Sequence, residues 1–211
     1  MNKDKRILIL KKFDKYYPKK ATDLIYRNKF ELLISILLSA KSRDKVVNKV
    51  TKKLFSIANS PEKILLLGIK KLKKHIKKIG LFNKKSYYII KICKYLIFKF
   101  KGKVPKNEKD ILSLPGIGIK SANMILNIYY NKNRIAVDTH VFRVSNRTKF
   151  AKSNKIHKLE KKIINLVPKK YVKYINRWFV HHGKNICKYK LYKCKKCIIN
   201  KLCEYKGKIN D

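Results

Sequence analysis

Apolar residues recur at three- and four-residue spacing along nearly all of the chain, the period of an α-helix, while two-residue alternation is almost absent. Residues 31–40 are mostly apolar and predict a buried helix; residues 46–57 predict an amphipathic one. Ser60-Pro61-Glu62 has the makings of a helix start, with a hydroxyl to cap an orphan amide and proline in the first turn. Gly68 and Gly80 are expected stops. Residues 84–100 predict a long amphipathic helix ending near Gly102. Residues 108–114 predict a short one, broken by Pro115-Gly116-Ile117-Gly118, and a further helix covers 119–130. Asp138 opens a helix running to Arg147; 155–167 and 171–182 give two more, separated by Pro168. Residues 187–203 lose the period and read as a cysteine-rich loop. No internal repeat is visible. The expected fold class is all-α.

The apolar run 30–40 is shorter than the roughly 20 residues that cross a bilayer. Residues 1–17 are charged throughout except at 7–10, which does not resemble a signal peptide. The expected location is the cytoplasm, with no membrane partner. Charge then narrows the partner. Among 211 residues, 56 Lys and Arg stand against 12 Asp and Glu, a formal charge of +44. Such a surface attracts polyanions. AT-rich codons for Lys, Ile, Asn and Tyr are a second source of the same lysines, so the charge permits nucleic-acid binding without identifying it.

Four of the five cysteines fall in Cys187-x6-Cys194-x2-Cys197-x5-Cys203. Four thiols this close can converge on one metal centre, and outside oxidising compartments metal binding is favoured over disulfides. Zinc ribbons usually pair two C-x2-C hooks, and here there is one; the wider gaps also suit an iron–sulfur cube. Spacing leaves both open. Cys93, among Ile89, Ile90 and Ile92, reads as a small buried hydrophobe. The intervening loop, Lys188 to Lys193, offers Lys190 and Lys193 as phosphate contacts or as a merely solvated basic loop.

Leu114-Pro115-Gly116-Ile117-Gly118-Ile119-Lys120 is the most informative segment. Two glycines flank one apolar residue between a proline and a helix. Gly116 and Gly118 permit close backbone approach, and the helix start presents N–H groups to an anion. A DNA phosphate suits such a turn, with Ile117 anchoring it; a plain packing corner is the competing reading. Lys120 lies in the first helical turn, where the positive helix end and neighbouring cations make a neutral amine easier to reach. Such an amine can form a Schiff base with a sugar. Asp138 is the only acid between Asp110 and Glu160. It suits a helix N-cap, and a carboxylate there can also stabilise positive charge developing on a sugar.

Taken together, these segments resemble the endonuclease III family of helix-hairpin-helix base-excision DNA glycosylases. The resemblance covers nearly the whole chain. It includes Phe30-Glu31-Leu32-Leu33, Leu37-Leu38-Ser39-Ala40, Ile79-Gly80-Leu81, the hairpin, Val137-Asp138-Thr139-His140-Val141-Phe142-Arg143-Val144 and the four cysteines. It implies a [4Fe–4S] cluster on Cys187, Cys194, Cys197 and Cys203 rather than zinc. It implies two helical lobes, 22–132 with the hairpin and 1–21 with 133–211 around the cluster, and a DNA-binding cleft between them. It implies a monomer acting on double-stranded DNA with an oxidised pyrimidine or an abasic site, flipped out of the stack. Lys120 would be the nucleophile, Asp138 its helper, and Leu81 the wedge beside the flipped nucleotide.

Two positions depart from the family pattern. Lys41 stands where glutamine usually fills the emptied space, and an ammonium has no acceptor. Ile119 stands where a basic residue usually precedes the lysine. Both bear on substrate range. Two other readings remain: a related adenine glycosylase, which typically lacks the lysine and carries a further domain, and a non-catalytic iron–sulfur DNA binder, which would need neither Lys120 nor Asp138.

Overall fold

The computed structural model describes residues Met1 to Lys208. The described residues hold ten α-helices and one 3₁₀ turn, without a strand. None of these helices is long and apolar enough to cross a membrane. The chain forms two compact units, one from Asp23 to Tyr130 and one from Met1–Thr22 together with the chain from Asn131 onward.

The 23–130 unit holds α2 (Lys29–Ser39), α3 (Asp44–Ile57), α4 (Pro61–Ile76), α5 (Phe82–Phe100), α6 (Glu108–Leu112) and α7 (Ile119–Tyr130). Helix α2 is buried on every face from Phe30 to Leu38 and packs against α3 and α7. Its one buried acid, Glu31, accepts from the Arg27 backbone N–H at 2.7 Å and meets the Arg27 guanidinium at 3.1 Å, so the charge is not left unpaired in the core. Ser60 caps α4 by accepting from Lys63 N–H, with Pro61 at the first position, as the sequence suggests. Gly68, expected as a stop, instead kinks α4: its φ of 75° and ψ of 160° leave the helix for one residue. The chain resumes helical geometry because Leu72 and Ile76 continue the buried face begun by Ile64.

The other unit packs α1 (Lys3–Tyr16), α8 (Thr139–Arg147), α9 (Ile156–Leu166) and α10 (Lys169–Asn185) around an aromatic core. Asn2 caps α1, and the buried face of α1 is Ile9, Leu10 and Phe13. Phe13 stacks on Tyr17 at 4.9 Å and meets Phe179 edge-on at 5.7 Å. Phe150 meets Phe179 edge-on from another direction. Trp178 is fully buried and donates its indole N–H to Pro18 O. Gly183 lets α10 approach α8 closely: a Cβ there would lie 3.1 Å from His140 Cβ and 3.2 Å from a Val144 methyl.

Phe13→Ala removes the ring at the centre of this core and is expected to cost about 3–5 kcal/mol. Tyr16→Ala, on the exposed side of the same helix, is expected to change stability by less than about 0.5 kcal/mol. Urea unfolding of the two variants checks the assignment, and similar losses in both would contradict it.

Candidate active site and cysteine centre

The hairpin is built by one tight turn. Leu114 O accepts from Ile117 N–H at 3.1 Å, with Pro115 in the second position and Gly116 in the third at a φ of 78°. That is the geometry of a type II turn, and it favours glycine at the third position. Sterics demand glycine again, since a Cβ on Gly116 would lie 2.5 Å from the Tyr88 ring. Leu114 and Ile117 are buried and fix the turn at both ends. Gly118 O accepts from Ala122 N–H at 2.9 Å and starts α7. A Cβ on Gly118 would meet nothing within 4 Å, so this side of the turn is open. Lys120 lies exposed in the first turn of α7, where a helix leaves N–H groups outside its own ladder and its dipole favours an anion. Ile119, just before it, is an apolar side chain 64% exposed.

Asp138 caps α8. One carboxylate oxygen, Oδ1, accepts from the His140 and Val141 N–H groups, both at 2.9 Å. The second, Oδ2, lies 3.4 Å from His140 Nδ1. The side chain is only partly buried, so the carboxylate is fixed by the helix start while one edge still meets the surface. Lys41 and Leu81 both belong to the 23–130 unit. Both have left-handed backbones, with φ of 54° and 60°, and Leu81 is 57% exposed. Gly80, the residue before Leu81, comes close enough that a Cβ would lie 3.1 Å from Lys41 O.

Cys187, Cys194, Cys197 and Cys203 all line one pocket, together with Arg147, His182, Tyr192 and Tyr205. Among the described residues, no three His, Cys, Asp or Glu side chains close on a point a single ion could occupy. The donor set around this pocket is four thiols and no carboxylate, which suits iron–sulfur or zinc chemistry rather than a hard cation. Burial raises the thiols of Cys187 and Cys203 and pushes Cys197 up to about 11, so metal binding here has to release protons.

Two neighbours of these cysteines are not evident from sequence. Arg147 reaches Cys187 Sγ at 3.7 Å, donates to Lys188 O at 2.5 Å and to Tyr189 O at 3.2 Å, and lies over the rings of Tyr192 and Tyr205. Its hydrogen bond and charge oppose the effect of burial on Cys187. Arg143, one turn earlier, donates to Gly183 O and Cys187 O. The other neighbour is His182, buried, with Nδ1 2.7 Å from the Tyr17 hydroxyl and Nε2 3.8 Å from Cys197 Sγ. Burial, then His181, lowers its pKa to about 4, so the ring is neutral near pH 7. The neutral tautomer that accepts from Tyr17 O–H at Nδ1 carries its proton on Nε2, the nitrogen facing Cys197. Between the first two cysteines, Lys190 and Lys193 are exposed, and Lys193 N–H closes the loop onto Ile186 O at 3.0 Å.

The chain has known relatives. Residues 34–169 match the model of the HhH-GPD superfamily base excision DNA repair proteins. Endonuclease III of Buchnera aphidicola subsp. Schizaphis graminum is 51% identical over 99% of this chain and 100% of its own length. Endonuclease III of Escherichia coli K12 is 42% identical over 100% of both. A trapped endonuclease III–DNA covalent intermediate superimposes with a TM-score of 0.87 at 34% identity, covering 97% of this chain and 96% of that one. The chain belongs to the endonuclease III family of the HhH-GPD superfamily, DNA glycosylases with abasic-site lyase activity that act in base excision repair.

Gly116→Ala is expected to lower both thermal stability and affinity for abasic DNA. Adding Tyr88→Ala removes the ring the new methyl would strike and is expected to recover part of the stability, leaving a backbone penalty of about 1–2 kcal/mol. Thermal melts of the single and double variants check this. A double variant less stable than Gly116→Ala by the full cost of Tyr88→Ala would contradict the contact.

Proposed function

We propose that Lys120 and Asp138 carry out lesion excision and strand cleavage on duplex DNA containing an oxidised pyrimidine or an abasic site. The observation that carries this reading is the pairing of two helix starts in a single glycosylase-family chain. One is glycine-turned and bears an exposed lysine, and the other is capped by the only acid for many residues on either side. The hairpin turn at Gly116, Ile117 and Gly118 holds a DNA phosphate through the amides of its two glycines, Ile117 N–H being donated to Leu114 O, and the basic surface, with Lys190 and Lys193 beside the cysteines, holds others.

Lys120 Nζ attacks C1′ of the flipped nucleotide as the glycosidic bond breaks and the base leaves with the bonding electrons. Asp138 stabilises the positive charge on the sugar and takes up the proton that the amine gives up. The ring-opened Schiff base acidifies C2′. Loss of that proton expels the 3′ phosphate by β-elimination, and water then frees Lys120. An abasic site enters the same sequence without the base.

Cys187, Cys194, Cys197 and Cys203 would hold a [4Fe–4S] cluster, which would tie the basic loop to α10. The elimination needs no electron from it. Arg147 and His182 orient the thiolates. The protein works as a monomer in the cytoplasm, associated with DNA.

Asp138→Asn keeps the cap and removes the charge. It is expected to lower excision of an oxidised thymine by about 100-fold or more while leaving affinity for an uncleavable abasic duplex nearly unchanged. Equal loss of binding would make Asp138 structural and favour a non-catalytic DNA binder. Affinity is also expected to fall on the order of 10³-fold between about 50 and 200 mM salt, as for a protein neutralising several phosphates. A flat dependence would contradict the phosphate contacts.

A further inference from the structure

Lys85 is a buried lysine that neither the hairpin nor the cysteine centre uses. It sits in the first turn of α5, only 4% exposed. Its ammonium donates to Leu38 O at 2.9 Å and Ala40 O at 2.5 Å, and reaches Ser42 Oγ at 3.5 Å. These oxygens belong to the end of α2 and the residues after it. A helix leaves carbonyls there outside its ladder, at the negative end of its dipole. Ser42 Oγ also accepts from Gly80 N–H at 3.3 Å. One cation therefore joins the end of α2 to the turn that starts α5.

Two features set this apart from an ordinary helix cap. The acceptors Ala40 O and Ser42 Oγ bracket Lys41, whose left-handed backbone a non-glycine residue rarely adopts. The residue after Gly80 is Leu81, left-handed as well and largely exposed. Such conformations persist where surroundings over-determine them, and the buried ammonium, Ser42 and the close approach of Gly80 to Lys41 O supply those surroundings.

We infer that Lys85 is a positioning residue that locks Lys41 and Leu81 into one rigid element, which enters the duplex where the damaged nucleotide has left the stack. The inference rests on the function proposed above. Its consequence is selective. Work that requires filling a gap in a duplex depends on Lys85, and chemistry on an abasic site in single-stranded DNA does not.

The test compares wild type, Lys85→Met, Ser42→Ala, Leu81→Ala and Lys85→Met/Leu81→Ala. The substrates are a duplex with one oxidised thymine and a single-stranded oligonucleotide with one abasic site. Lys85→Met is expected to lower kcat/KM on the duplex by about 100-fold, the scale of a small misplacement, and on the single strand by no more than about 3-fold. Ser42→Ala, which leaves the core intact, is expected to show a smaller loss with the same selectivity. In the double variant the duplex losses are expected not to multiply, because both changes disable one element. A 2-aminopurine opposite the lesion is expected to brighten on binding of wild type and much less with Lys85→Met. Losses that multiply, or equal losses on both substrates from folded Ser42→Ala, would overturn the positioning role alone. Wild type inactive on both substrates would overturn the proposed function and this inference with it.

Discussion

The peptide that enters α7 can take only one path. Gly116 has a positive φ, its Cα lies against the Tyr88 ring, and Leu114 and Ile117 are buried on either side. That constraint sets where α7 begins and therefore where its dipole and unladdered N–H groups point. Lys120 inherits its place from the turn. As the proposed nucleophile it would need no buried scaffold of its own, since it sits on the first turn of a helix fixed this way. The same economy holds at α8, where Asp138 is held by the helix it caps.

The cysteine loop depends on α8 and α10 in a comparable way. Gly183 allows the two helices to approach, and the approach brings Arg143 and Arg147 under the carbonyls of residues 183 to 189. An arginine is suited to this because its planar fork serves several acceptors at once. Met1 and Lys5 close the far end through Glu204, whose carboxylate the N-terminal ammonium holds below its usual range. The loop is therefore tied at both ends by residues far away in the chain, and the four cysteines lie along it.

Much of this architecture is legible in the amino-acid order because its causes are local. The Ser60 cap, the proline after it, the Pro115-Gly116 turn and the Asp138 cap are each written within a few residues. Gly68 shows the limit of that reading. A glycine at positive φ looks like a helix end, and only the buried Leu72 and Ile76 beyond it show that the helix resumes. Helix α1 is masked because its charged positions outnumber Ile9, Leu10 and Phe13. The partners of the candidate site were hidden for a different reason. Lys85 meets Leu38 across 47 residues, Arg147 meets Cys187 across 40, and Tyr17 meets His182 across 165. In a chain with 56 basic residues, nothing short of tertiary contact distinguishes Lys85 or Arg147 from the surface majority.

In the proposed reaction a single exposed amine at the start of α7, that of Lys120, forms the covalent bond to DNA. Borohydride reduction during reaction with a duplex containing one abasic site tests it most directly, with the adduct mapped by mass spectrometry. The expected result is one protein–DNA adduct on Lys120, absent in Lys120→Ala. An adduct on another lysine, or none from folded wild-type protein that binds the duplex, would contradict the account.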